Sequence, residues 1–283
     1  MAETAIDYEL EYNNRKRVPE HADISALWPA EAEAYRQTAN AEYDIAYGDS
    51  DRSRYDLFLP DGAADCASLI VYIHGGYWQS RDRKDFSHVA RHFNANGVSV
   101  AIPSYNLCPA VQIIDIVEEL RMFLRALWMR TNTRPVIVGH SAGGHLTAAM
   151  LATDWSAFDD VPADLITAGY AISGVFDLLP ICNVSINSVL RLDEIAAEAV
   201  SPLNWTFPTA GKSLVAAVGA LESDEFIKQS RAITEIWTRK GVPTEFSLID
   251  DANHFTIVNM LTKAGSPMMR KICDMAAKAS AGR

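Results

Sequence analysis

The stretch that most constrains this chain is residues 135–145, where an apolar strand, a sharp turn and the start of a helix follow one another within eleven positions. Val136, Ile137 and Val138 form a β-branched run suited to a strand buried on both faces, and Pro135 stands at its mouth. Gly139-His140-Ser141-Ala142-Gly143 then fits the pattern G-x-S-x-G. Its glycines allow close backbone passage on either side of a serine held in a strained conformation, so that the serine oxygen stands out above the sheet. From Ala142 to Leu151 the chain is rich in Ala, Leu and Met and continues as a helix, whose first amides point back at the reacting oxygen. Ser141 is therefore the candidate nucleophile, with the Ala142 N–H as one donor to a developing oxyanion. The motif is short and also occurs in ordinary loops, so the strand before it and the helix after it carry much of its weight.

At 283 residues, with strand and helix segments interleaved throughout, the chain is expected to form a single domain over 1–283 with a sizeable core. A formal net charge of −11 argues against nucleic acid or an anionic membrane as partner and favours a soluble protein. Cys66, Cys108, Cys182 and Cys273 lie far apart without a C-x-x-C pair, which suggests neither a zinc site nor a disulfide framework and fits a reducing cytoplasm. Residues 1–17 lack the basic-then-apolar order of a secretory signal, and no run approaches the roughly 18 apolar residues of a membrane span. No metal or cofactor is called for.

In chain order, residues 1–40 read as an N-terminal arm of short helices packing on the body or over a site. Strands are expected over 43–47 and 55–59, joined by a turn-rich loop as an antiparallel edge. The next strand, 68–73, ends at His74-Gly75-Gly76-Tyr77-Trp78. Two glycines after a buried strand let the amides of Gly76 and Tyr77 join that of Ala142 as oxyanion donors, with His74 structural. Further segments follow as a helix over 81–96, a strand over 97–103, a long amphipathic helix over 111–130 and a strand over 165–172. Residues 182–204 show no clear strand and are expected to form a helical cap. The remaining pattern is a strand over 213–219, a helix running to about residue 240, a strand over 244–249 and a C-terminal helix from 257 to 277.

A serine alcohol needs a base, and the base needs an orienting acid. Of seven histidines only His254 follows the acidic candidates, as the chain order serine, acid, histidine requires. Glu222 lies in the loop before the expected N-cap Ser223, while Asp224 and Glu225 fall in the first helical turn, where carboxylates commonly answer the helix dipole. Glu222 is thus preferred over Asp224 as the acid, and Asp177 is better read as a loop brace. The trio Ser141, Glu222 and His254 would transfer an acyl group from substrate to serine and then to water.

These motifs, with Asn253-His254-Phe255, resemble the α/β-hydrolase superfamily and within it the serine-dependent kynurenine formamidase group. Glu11-Tyr12-Asn13-Asn14-Arg15 is similar to that group's opening, and 173–178 and 222–226 are similar to it as well. The resemblance implies a mostly parallel sheet of about eight strands with helices on both faces. It also implies a metal-independent hydrolase of aryl amides, such as N-formylkynurenine or an N-acylanthranilate. A small-acyl carboxylesterase is the nearest alternative, and a noncatalytic ligand-binding protein on the same scaffold is the alternative of another class. Tyr77, Trp78 and Phe255 are candidate walls for an aromatic substrate, and Arg191 in the expected cap is a candidate partner for an anionic one. The oligomeric state stays open, a homodimer included.

Overall fold

Every apolar run read as a buried strand finds a place in one twisted sheet. The computed structural model describes residues 6–63 and 66–281, so residues 1–5 of the expected arm lie outside the described residues. The strands are β1 (Ala41–Ala46), β2 (Arg54–Phe58), β3 (Leu69–Ile73), β4 (Ser99–Pro103), β5 (Val136–His140), β6 (Ala168–Ile172), β7 (Ser213–Gly219) and β8 (Thr244–Ile249). Their order is β1-β2-β4-β3-β5-β6-β7-β8. β1 pairs β2 and β2 pairs β4 antiparallel, and all pairs from β4–β3 to β7–β8 are parallel. The sheet is the mostly parallel one expected, with its antiparallel edge formed by the first two strands.

The helices are α1 (Tyr8–Tyr12), α2 (Asn14–Arg17), α3 (His21–Arg36), α4 (Ala90–Ala95), α5 (Ile113–Thr131), α6 (Ala142–Leu151), α7 (Asn187–Leu190), α8 (Glu194–Ala199), α9 (Asp224–Arg239), α10 (Asn259–Thr262) and α11 (Pro267–Ala281). Because successive strand side chains point to opposite faces, adjacent residues of one strand enter different core layers. Val71 and Ile137 pack with Leu120 of α5, Leu146 of α6 and Phe226 of α9. Ile70 and Val138 pack with Trp28 of α3, Phe93 of α4 and Ile272 of α11. Burial on both faces is why β3 to β6 read as unbroken apolar runs.

Two helices depart from expectation. The segment over 81–96 opens as a 3-10 turn, Arg83–Val89, held by reciprocal Asp82 and Asp85 caps, and becomes α-helical only at Ala90. The C-terminal helix expected over 257–277 is broken between Thr262 and Pro267. Gly265 there has φ +67°, and Pro267 lacks the N–H a continuing helix needs.

Residues 182–204 carry α7 and α8, and the arm reaches across to them. Glu9 accepts hydrogen bonds from Ser185 N at 2.8 Å and Ser185 Oγ at 2.9 Å. Arg17 Nη2 donates to the Glu222 carbonyl at 3.4 Å, and the Tyr12 hydroxyl donates to Glu225 at 3.2 Å. The arm thereby touches both the 182–204 segment and the loop after β7.

Candidate active site

β5 ends at His140 and α6 starts at Ala142, which leaves Ser141 alone in the turn with φ 56° and ψ −118°. A non-glycine residue there pays roughly 1–2 kcal/mol, so its surroundings must enforce the geometry. They do so by close packing. A Cβ on Gly139 would lie 2.1 Å from the Gly143 carbonyl oxygen, and one on Gly143 would lie 2.0 Å from that of Ile73. Only glycine fits at either place, and the Ser141 N–H is spent on Ile172 O at 2.8 Å.

His254 Nε2 lies 3.0 Å from Ser141 Oγ, and His254 Nδ1 lies 2.6 Å from Glu222 Oε2. The other carboxylate oxygen, Oε1, accepts from Ser173 Oγ at 2.5 Å and from Gly219 N at 2.8 Å. All three members of the row are buried, and the loops carrying Glu222 and His254 are pressed together: a Cβ on Gly219 would sit 2.2 Å from Ala252 O. His140 Nε2 donates to the His254 carbonyl at 2.8 Å, tying the serine turn to the histidine loop. Burial, followed by the neighbouring His254, keeps His140 well below the ordinary histidine range and hence neutral. Asp224 instead lies exposed at the start of α9, and Asp177 caps Leu179 N at 3.0 Å within its own loop.

The loop after β3 lies against this row, since a Cβ on Gly75 would stand 3.0 Å from Ser141 Cβ. Gly76, Tyr77 and Trp78 have φ of 114°, 50° and 55°, three successive residues in the left-handed half of the map. The N–H groups of Gly76, Tyr77 and Ala142 donate to no group among the described residues. Such free, consecutive amides suit a negatively charged oxygen.

Trp78 is not the pocket wall expected of it. Its side chain is fully buried, and Nε1 donates to His145 Nδ1 at 3.3 Å. His145 Nε2 donates in turn to Val200 O at 2.7 Å, so the ring has one donating and one accepting nitrogen. Burial lowers its pKa to about 4, in keeping with that neutral form. Trp78 is a peg that anchors the strained loop to α6. An aromatic in sequence does not announce whether it faces inward; here the positive φ of the preceding residues turns it into the core.

A cavity of about 260 Å³ opens beside Ser141 and His254, with Tyr77 and Phe255 among its walls. This is near the small end of ligand pockets, which run roughly 300–1,000 Å³, and suits a single-ring molecule. Arg191 is absent from it, lying exposed at the end of α7 with φ 57°. The arginines at the cavity are Arg15 and Arg81, with Asn14, His21 and Trp28 of the arm nearby. From the sequence, the arm is expected on the body or over a site, and 11–15 are similar to the kynurenine formamidase opening, but no role at the cavity follows for these residues or for Ser173.

The sheet order, the strand-turn-helix serine and the histidine loop after the last strand define an α/β-hydrolase. The chain belongs to the BD-FAE family, whose profile matches residues 55–203. It is 26% identical to the kynurenine formamidase of Danio rerio, across 96% of either chain, and 32% identical to that of Drosophila melanogaster, across 76% of this chain and 74% of the other. A solved structure from Silicibacter sp. TM1040 described as a thioesterase matches with a TM-score of 0.85 and 30% identity, covering 95% of this chain and 99% of the other. These likenesses make the chain a hydrolase of amide or ester bonds.

Proposed function

We propose that this hydrolase is a metal-independent serine enzyme that cleaves aryl amides, an N-formyl- or N-acyl-arylamine such as N-formylkynurenine or an N-acylanthranilate, through an acyl-enzyme. The observation that carries the reading is the buried row Ser141 Oγ, His254 and Glu222, with contacts of 3.0 and 2.6 Å, opening on a cavity bordered by free amides. Ser141 attacks the acyl carbon while His254 Nε2 accepts its proton. Glu222 holds the Nδ1–H tautomer and stabilises the imidazolium. The amides of Gly76, Tyr77 and Ala142 receive the oxyanion, each such donor contributing about 3–4 kcal/mol. His254 then gives the proton to the leaving amine, and water repeats the sequence to free the acid. Tyr77 and Phe255 serve as aromatic walls, and residues 182–204 as a cap on a single domain. The four cysteines, far apart in sequence and without a C-x-x-C pair, suit a cytoplasmic setting.

A small-acyl carboxylesterase is the second reading, favoured by the 30% identity to the structure described as a thioesterase. The discriminating measurement is kcat/KM for N-formylkynurenine, N-acylanthranilates of increasing chain length and a p-nitrophenyl ester series. A preferred aryl amide is expected; turnover confined to short esters would replace the amidase reading with the esterase one. Ser141→Ala should abolish turnover with the fold retained, and unchanged turnover would dismiss Ser141 as nucleophile.

A further inference from the structure

The cavity beside Ser141 is lined by Arg15 and Arg81 and, among the described residues, by no aspartate or glutamate, although the chain has 36 acidic residues against 25 basic ones. Neither arginine forms an ion pair among the described residues. Arg81 is half-buried at φ 78°, and its guanidinium stands 5.2 Å from the centre of the Trp28 ring. Burial weakens its hold on a proton, the nearby Asp85 carboxylate opposes this, and the like charge of Arg15 adds a smaller weakening; the Asp85 carboxylate is itself engaged in capping Asp82 N at 3.1 Å. Arg15 is exposed at the cavity and its charge reaches the half-buried Arg81, so an anion bound beside them would relieve the repulsion between two like charges.

Two residues that line the same cavity also carry unused hydrogen-bond donors just beneath its surface. Asn14 Nδ2 and Trp28 Nε1 are buried and have no partner among the described residues, and both side chains are less than a tenth exposed. A buried donor left unpaired costs about 1–3 kcal/mol, which a ligand acceptor would relieve. Guanidinium forks match a carboxylate's two oxygens in a way that a neutral ester cannot exploit.

We infer that Arg81 and Arg15, with Asn14 and Trp28, form a carboxylate subsite, so that the preferred substrate is an anionic aryl amide bound by its carboxylate while its acyl group meets Ser141. The inference rests on the serine amidase reading for the placement of the acyl group. Substrate selection thereby falls to the arm and to the loop after Trp78, outside the reacting trio.

The test uses a matched pair, 2-formamidobenzoate and formanilide, which differ in the carboxylate alone. Binding is measured by calorimetry on full-length Ser141→Ala protein, so that no turnover is needed. The carboxylate compound should bind at least tenfold more tightly, and adding Arg81→Gln or Arg15→Gln should remove most of that preference. In the active enzyme the ratio of kcat/KM for the two compounds should fall at least tenfold in the same arginine variants, and thermal melting checks that they fold. An unchanged ratio and an unchanged binding preference in folded variants would overturn the subsite. Hydrolysis by Ser141→Ala would overturn the serine reading instead, leaving the binding comparison to judge the subsite by itself.

Discussion

At the scale of single residues, the proposed acid, Glu222, is held by what its two oxygens touch. One Glu222 oxygen meets His254 Nδ1, and the other is held by Ser173 Oγ and Gly219 N, so the carboxylate has no freedom to turn away. Glu222→Gln offers His254 the wrong partner and should lower kcat by roughly 10³–10⁴-fold. Asp224→Asn, at an exposed helix start, should cost no more than about 1 kcal/mol of stability and leave kcat near wild type. Steady-state kinetics on the two variants decide it, and the reverse ranking would make Asp224 the acid. Ser173 is a positioning residue. Removing its hydroxyl takes away a hydrogen bond to a charged group, about 1.5–3 kcal/mol, so Ser173→Ala should reduce kcat roughly tenfold or more with little change in KM. An unchanged kcat in a folded Ser173→Ala protein would show Ser173 to be packing alone.

At the scale of elements, the strained loop after β3 is held through a chain of contacts running from Trp78 to His145 on α6 and on to Val200 next to α8. Trp78→Phe keeps the apolar bulk but leaves His145 Nδ1 unpaired, at a cost of about 1–3 kcal/mol. With roughly 2–4 °C of melting temperature lost per kcal/mol in a domain of this size, a fall of several degrees is expected. Because the loop carries the free amides of Gly76 and Tyr77, kcat should fall by roughly tenfold or more, with KM less affected. Lowered melting with unaltered kcat would mean that the indole supports the core without aiming the loop. The serine turn and this loop were legible in sequence because their constraints are local: glycines at fixed spacing around a buried strand. The arm was legible as a segment packing on the body or over a site but its partners were not, since Tyr12 meets Glu225 across 213 positions and no periodicity marks such a contact. For the same reason Trp78 reads as a wall, whereas the break in the C-terminal helix rests on local signals, Gly265 and Pro267, that the expected helix overran.

At the scale of the whole molecule, neutral histidines buried around the sheet's active end link folding to pH. Burial lowers His74, His88 and His145 to about 4, and pushes His140 well below its ordinary value. In the unfolded chain these rings titrate near 6.5, so between that pH and about 4 the unfolded state binds more protons than the folded one. Stability is therefore full above pH about 6.5 and is lost as the pH falls, each histidine adding a slope of up to about 1.4 kcal/mol per pH unit. His88 contributes least if its Nε2, 3.7 Å from Glu31, gains that carboxylate as a partner on protonation. Even so, three such groups can remove on the order of 6 kcal/mol between pH 6.5 and 5, comparable with the roughly 5–15 kcal/mol that holds a typical protein together. Urea unfolding at stepped pH should thus show a level midpoint from pH 8 to 7 and a steep decline below 6. Histidine ring resonances followed by NMR should show these four unprotonated in the folded protein at pH 5.5. A midpoint that stays level down to pH 5, or rings that titrate near 6.5 while the protein remains folded, would mean that water or a partner reaches these histidines and that the sheet's active end is less closed than its packing indicates.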